Sequence, residues 1–211
     1  SCSPTKTDAL ARTVGEIQKQ ISILGGPSRI FVRPMTGKGE AKPVNMDTLL
    51  DEVISGLSHI AAANNVVLRR VGTTGLFPSL WTWEVPLRLA IMNLITNAVQ
   101  MVALLRMTGG LVQCEVVEET NPSGQRFASV LISDNGPGIH SYLWEKVFMP
   151  MYTTREEGLG MGLFQSREVC RSIGVSLELR ESVLLSGTIF CLSIPDATET
   201  KENCLATAHR R

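Results

Sequence analysis

The 211-residue chain balances twenty Lys plus Arg against twenty Asp plus Glu, so no bulk field draws it to nucleic acid or to an anionic membrane, and any anion site has to be local. Its length suits one well-cored domain with short extensions. Five scattered cysteines (Cys2, Cys114, Cys170, Cys191 and Cys204) form no CxxC pair and have no histidine at metal-ligand spacing, which favours reduced thiols in a cytoplasmic setting over a zinc site or disulfide framework. The polar opening at Ser1 is not a signal peptide, and no stretch approaches the roughly 20 apolar residues that span a bilayer.

Leu10, Val14, Ile17, Ile21 and Leu24 recur at spacings of four and three, which predicts a helix over 8–24 that Gly25-Gly26-Pro27 ends. It packs either on its own domain or on a partner helix. A stretch rich in Gly, Pro and Lys reaches Pro43. Asn45 or Asp47 then caps a helix whose apolar residues run from Leu49 to Ile60, and a strand follows over 66–71. A long apolar helix is expected from Pro86 to Leu105, with proline where a missing amide hydrogen costs nothing. Alternating segments at 111–118 and 127–133 flank Asn121-Pro122-Ser123-Gly124 as an antiparallel hairpin.

A loop over 134–160 leads to a helix (161–173) and two strands (175–180 and 188–194). The expected fold is α+β, a two-layer sandwich with a mixed, mostly antiparallel sheet and its helices on one face. Residues 1–27 are read as an N-terminal helix, 28–43 as a linker, 44–195 as the main domain and 196–211 as a disordered tail.

Three clusters carry the chemistry. Asn93 and Asn97 stand one turn apart on an otherwise apolar helix, so their amides share a face and need polar partners. Either neighbouring backbone satisfies them or they face a ligand, since an amide oxygen suits Mg²⁺. Asp134-Asn135-Gly136-Pro137-Gly138 follows a strand and is either an ordinary turn or a site where the Asp134 carboxylate accepts from a ligand amine such as that of adenine, with Gly136 and Gly138 admitting close backbone approach. Gly158, Gly160 and Gly162 alternate before a helix, so free amides and the positive helix end meet in the preceding loop, an arrangement that receives phosphate. The spacing is neither a dinucleotide fingerprint nor a P-loop.

In order and context the clusters resemble the GHKL, or Bergerat, ATP-binding fold of sensor histidine kinases over residues 40–195. Asn93 to Ala98 looks like the N box, Asp134 to Ile139 the first glycine box, Val147 to Arg155 the F box, Gly158 to Leu163 the second glycine box, and Ser186 to Phe190 the Gly-Thr entry to the last strand. Met151, Leu159 and Gln100 depart from the usual residues at their positions.

The resemblance implies an ATP-dependent protein histidine kinase. Its implied roles are Asn97 as Mg²⁺ ligand, Asp134 on the adenine amine, Thr188 near the base and Arg155 as a lid cation. Gly136, Gly138, Ile139, Thr154, Gly158, Leu159, Gly160, Met161, Gly162 and Leu163 complete the ATP site. Asn93 stands where the superfamily's hydrolases carry a water-activating glutamate; an amide cannot act as general base, which favours phosphoryl transfer over hydrolysis. His59, His140 and His209 lack the acceptor context, so the phosphoacceptor histidine is expected outside this chain. The implied partners are that histidine domain, a response regulator and a second copy in the parent protein, with neither nucleic acid nor membrane contact by this segment. The alternatives are a noncatalytic nucleotide-binding or dimer module and an anti-sigma-type serine kinase.

Overall fold

The computed structural model describes residues 41–72, 79–105, 109–120, 126–154 and 159–195. The expected helix over 8–24 and the expected tail over 196–211 lie outside them.

Helix α1 (Met46–Ala63) starts at Asn45, whose side-chain oxygen accepts the Thr48 amide hydrogen at 2.9 Å, satisfying one of the helix's open amides. Helix α2 (Glu84–Leu104) carries Pro86 in its first turn and begins two residues ahead of the expected start. Leu87, Ile91, Leu94 and Ile95 are completely buried along it, each worth roughly 1.5–3 kcal/mol relative to exposure. By length and composition α2 meets the test for a membrane-crossing helix, which corrects the expectation that no stretch comes close; half of its most apolar window is buried in the core. Helix α3 (Gly162–Ser172) packs on α2.

A short strand β1 (Lys42–Val44) pairs antiparallel with β3 (Leu80–Thr82). With three residues each, neither shows a period, and β1 straddles the expected linker boundary. The main sheet contains β2 (Val66–Arg70), β4 (Gly110–Thr120), β5 (Arg126–Asp134), β6 (Ser176–Val183) and β7 (Gly187–Pro195) in the order β2-β4-β5-β7-β6. Only β2 and β4 run parallel. Val112 and Cys114 of β4, Val130 and Ile132 of β5, and Phe190 and Leu192 of β7 are buried, forming with the helices one apolar layer. The architecture is the expected α+β two-layer sandwich.

Ion pairs secure one end. Arg70 of β2 pairs with Asp47 and Asp51 of α1, while Arg88 of α2 pairs with Glu52 and Glu84. The buried thiols of Cys114, Cys170 and Cys191 are free; burial pushes those of Cys114 and Cys170 up to about 12, where they are inert.

Candidate functional site

The sheet ladder positions the Asp134 cluster. Asp134, the last residue of β5, stands opposite Val112 on one side and Thr188 on the other. Its carboxylate accepts the Gly136 amide hydrogen at 2.8 Å and that of Thr188. A Cβ on Gly136 would lie 2.8 Å from Asp134 Oδ1 and 3.5 Å from Val102 of α2, so the carboxylate is on the helix side of the sheet. Burial nonetheless pushes the Asp134 carboxyl up to about 6, because two backbone donors only partly replace the lost water.

The turn after Asp134 is fastened to the β6–β7 hairpin. The Leu185 amide donates to the Pro137 carbonyl at 2.8 Å, and the Ile139 amide donates to Ser182 Oγ at 2.7 Å. The Ile139 carbonyl accepts from Trp144 Nε1 at 3.1 Å. Gly138, at φ +70°, has no room for a Cβ, which would sit 2.2 Å from the Val183 carbonyl oxygen; at Gly187, φ +118°, the Asp134 oxygen would be 1.7 Å away. Asn135 has a local task, its amide bridging the Leu111 N–H and the Gly109 carbonyl at 2.8 and 3.0 Å, which starts β4. The cluster is a turn, and it presents a half-buried carboxylate held by two backbone amides.

The asparagine and glycine clusters meet near the middle of α2, about two turns before the residues beside Gly136. Asn93 Nδ2 donates to Ser166 Oγ of α3 at 2.7 Å, and a Cβ on Gly162 would stand 3.2 Å from the Asn93 oxygen. The Asn93 amide is thus satisfied by a side chain from a distant helix. Asn97, one turn on, is half-buried, and its side-chain amide has no hydrogen-bond partner among the described residues. Gly160, at φ +65°, lies so close to Met151 and Tyr152 that a Cβ would fall 2.5–2.7 Å from their backbone. Phe148 anchors this segment, buried edge-on against Phe190 at 6.0 Å with the Arg167 guanidinium 4.5 Å above its ring. Leu163 packs on the core, Met161 is half-buried, and Thr154 and Leu159 are exposed. Arg155 and Gly158 lie outside the described residues.

Asn93 and the Met101–Val102 turn beside Gly136 are eight to nine residues apart on α2, about 13 Å along the axis at 1.5 Å per residue. Asn97 stands between them. Sequence reasoning missed Ser166 and Ser182, whose signal lay only in tertiary contact. Among the described residues no cluster of His, Cys, Asp and Glu suits a metal ion.

A cleft of about 370 Å³ has Asp134, Asn135, Gly187 and Thr188 along one edge and extends over Gln113, Ser133, Ile189 and Glu181. The latter four are cross-strand neighbours and alternate with the buried residues, so the cleft opens on the sheet face away from the helices.

Residues 83–198 match the family of histidine kinase-, DNA gyrase B- and HSP90-like ATPases. The C4-dicarboxylate transport sensor protein DctB of Rhizobium meliloti (strain 1021) is 30% identical over 114 residues, covering 54% of this chain and 17% of that protein. The sensory histidine kinase/phosphatase NtrB of Vibrio alginolyticus is 28% identical, with 62% and 38% covered. The chain therefore spans well under half the length of these curated relatives. Among solved structures, full-length ShkA in complex with AMPPNP superposes with a TM-score of 0.63 at 19% identity, covering 89% of this chain and 36% of that one. The mycobacterial sensor histidine kinase MprB gives 0.60 at 21%, covering 74% and 97%. These structures share the fold.

Proposed function

The chain belongs to the family of histidine kinase-, DNA gyrase B- and HSP90-like ATPases, and from that premise we propose that residues 44–195 bind Mg-ATP and act as the phosphoryl-donating part of a sensor histidine kinase. The observation that carries this reading is the two-ended site along α2. A half-buried acceptor, Asp134, lies beside one turn of the helix, and a glycine-flanked helix N-terminus abuts Asn93 about 13 Å away. That span matches the distance from a base amine to the phosphates of an extended nucleoside triphosphate.

In this reading the Asp134 carboxylate accepts from the adenine amine, with Thr188 beside the base and Gly136, Gly138 and Ile139 forming the wall. The phosphates lie toward Gly160, Met161 and Gly162 at the start of α3, where open amides and the helix dipole favour negative charge. Thr154, Leu159 and Leu163 flank them, and Arg155 and Gly158 are assigned to the same site by the family resemblance alone. The half-buried Asn97 amide, with no described partner, fits Mg²⁺, which takes few protein ligands and keeps water and phosphate oxygens; bound there it would neutralise phosphate charge. Asn93 Nδ2 is engaged by Ser166, and an amide lacks the basicity to activate water, so Asn93 positions groups for transfer.

His59 and His140 are exposed, on α1 and beside a 3₁₀ turn, and neither stands at the Asn93–Gly162 end. The acceptor in this proposal is a histidine of another segment of a dimeric parent protein. That histidine in turn serves a response regulator, in the cytoplasm. The relative NtrB, a sensory histidine kinase/phosphatase, supports this.

Titration with a nonhydrolysable ATP analogue, with and without Mg²⁺, tests the reading on the chain itself. Micromolar, Mg²⁺-dependent binding that Asp134→Ala weakens is expected, and no binding by the unmodified chain overturns it. Mixing the chain with phosphoacceptor helix hairpins and labelled ATP then tests transfer, read as acid-labile phosphate. Rapid phosphate release without acceptor would favour hydrolysis instead.

A further inference from the structure

Ser182 is the node that the sequence reading left out. Its Oγ lies 2.7 Å from the Ile139 amide nitrogen, 3.1 Å from the Gly187 carbonyl oxygen and 3.0 Å from Thr188 Oγ1. A serine hydroxyl has one proton and two lone pairs. The Ile139 N–H can only donate and the Gly187 carbonyl can only accept. If all three contacts are hydrogen bonds, Ser182 therefore gives its proton to Gly187 and Thr188 must donate to Ser182. One side chain in β6 thereby ties the turn after Asp134 to the first two residues of β7 and directs the Thr188 hydroxyl proton away from the site.

Both residues adjoining this node also hold Asp134. The Thr188 amide donates to its carboxylate, and Gly187 lies so close to the Asp134 carbonyl that a Cβ there would overlap its oxygen. The turn that Ser182 holds at Ile139 supplies the other carboxylate donor, Gly136. The fastening is threefold, since Leu185 and Gly138 bring the same hairpin and turn together, but Ser182 alone among these contacts engages Thr188 by side chain.

We propose that Ser182 is a positioning residue for base recognition: through Thr188 and Ile139 it sets where the Asp134 carboxylate stands relative to the amine of the bound base. This rests on the nucleotide reading above. Its distinguishing consequence is selective. Loss of the Ser182 hydroxyl weakens binding of a nucleotide that has the amine more than of one that lacks it, whereas a serine that merely stabilises the hairpin affects both alike.

The test compares ATP with purine riboside triphosphate, which differs by the missing 6-amino group, in calorimetric titrations of the full chain with Mg²⁺. For the unmodified chain ATP should bind more tightly. Ser182→Ala should shrink that preference about fivefold, the loss expected for one hydrogen bond, and Ser182→Thr, which keeps the hydroxyl, should restore it. If Ser182→Ala does not fold, Ser182→Cys, of similar size and with a weaker donor, carries the same comparison. An equal change for both nucleotides, or none, overturns the role of Ser182 and leaves the ATP site standing. Equal binding of the two by the unmodified chain overturns the amine contact and this inference with it, and no binding of either overturns the site reading as a whole.

Discussion

The two ends of the site along α2 are held by different means. At the Asp134 end, β5 and β7 are in register, two backbone amides grip the carboxylate, and the β6–β7 hairpin is latched to the following turn by main-chain and Ser182 contacts. At the Asn93 end a single 2.7 Å side-chain bond to Ser166 and a tolerant approach by Gly162 join two helices. Rigid recognition of a flat base calls for a preorganised wall, whereas phosphate, bound by several amides and a cation, accepts a looser seat. The Asp134 end should therefore be brittle and the Gly162–Asn93 contact forgiving, although Gly160 beside it has no room for a Cβ.

The sharpest way to break this contrast is glycine replacement at each end. Gly187→Ala would place a methyl 1.7 Å from the Asp134 oxygen at φ +118° and should cost more than about 3 kcal/mol, read as a lower urea midpoint or loss of folding. Gly162→Ala meets only the movable Asn93 amide at 3.2 and 3.3 Å and should shift stability by at most about 1 kcal/mol. Similar midpoints for the two variants would remove the distinction.

Asp134→Ala should lower affinity for ATP by about 10- to 100-fold, the range for a hydrogen bond to a charged group. The fold itself should hold or gain, because a poorly solvated carboxylate disappears. A large drop in melting temperature would instead make Asp134 a structural residue.

The same carboxylate sets opposite pH trends for binding and folding. With its native value near 6 and its ordinary value 3.8, the native state binds the extra proton between those limits. The stability this adds is fully present below about pH 4 and is lost as pH rises through 6. ATP binding runs the other way, since the ionised carboxylate is the stronger, acceptor-only group while the protonated one keeps a weaker carbonyl acceptor and turns a donor toward the amine; affinity should fall by up to about tenfold from pH 7 to pH 5. Asp134→Asn should flatten both profiles. Isothermal titration and urea melts across that range check the two signs separately.

Smaller effects are expected at the Asn93 end. Asn97→Ala should weaken ATP binding about tenfold with Mg²⁺ present and little without it, provided its amide is the ligand. Ser166→Ala removes one side-chain bond to Asn93 and should cost about 1 kcal/mol of stability with a few-fold change in phosphate transfer. A larger loss of affinity for Ser166→Ala than for Asp134→Ala would reverse the comparison.

Much of the fold was legible because local rules and tertiary demands agree in this chain. Alternation over 111–118 and 127–133 reflects a sheet covered on one face, and the structure extends those strands to 110–120 and 126–134. The apolar span of α2 was also readable. Its resemblance to a membrane helix in length and composition was not, since burial by protein and burial by lipid select the same residues. Strands β1 and β3 were too short for any period to emerge.

For the site, sequence alone determined the chemistry on offer: amides four apart on one helix face, an aspartate before a glycine-rich turn, and glycines before a helix. Local spacing is enough for this because side-chain direction follows the helical and strand periods. Only the tertiary structure decided which of these groups face one another, that Asn135 serves the start of β4 and not the carboxylate site, and that Ser166 and Ser182 complete the two ends. Those relations join residues 73 and 43 positions apart in the chain. Serine carries no periodic signature of its own, so its importance arises from the groups that packing places within hydrogen-bond reach.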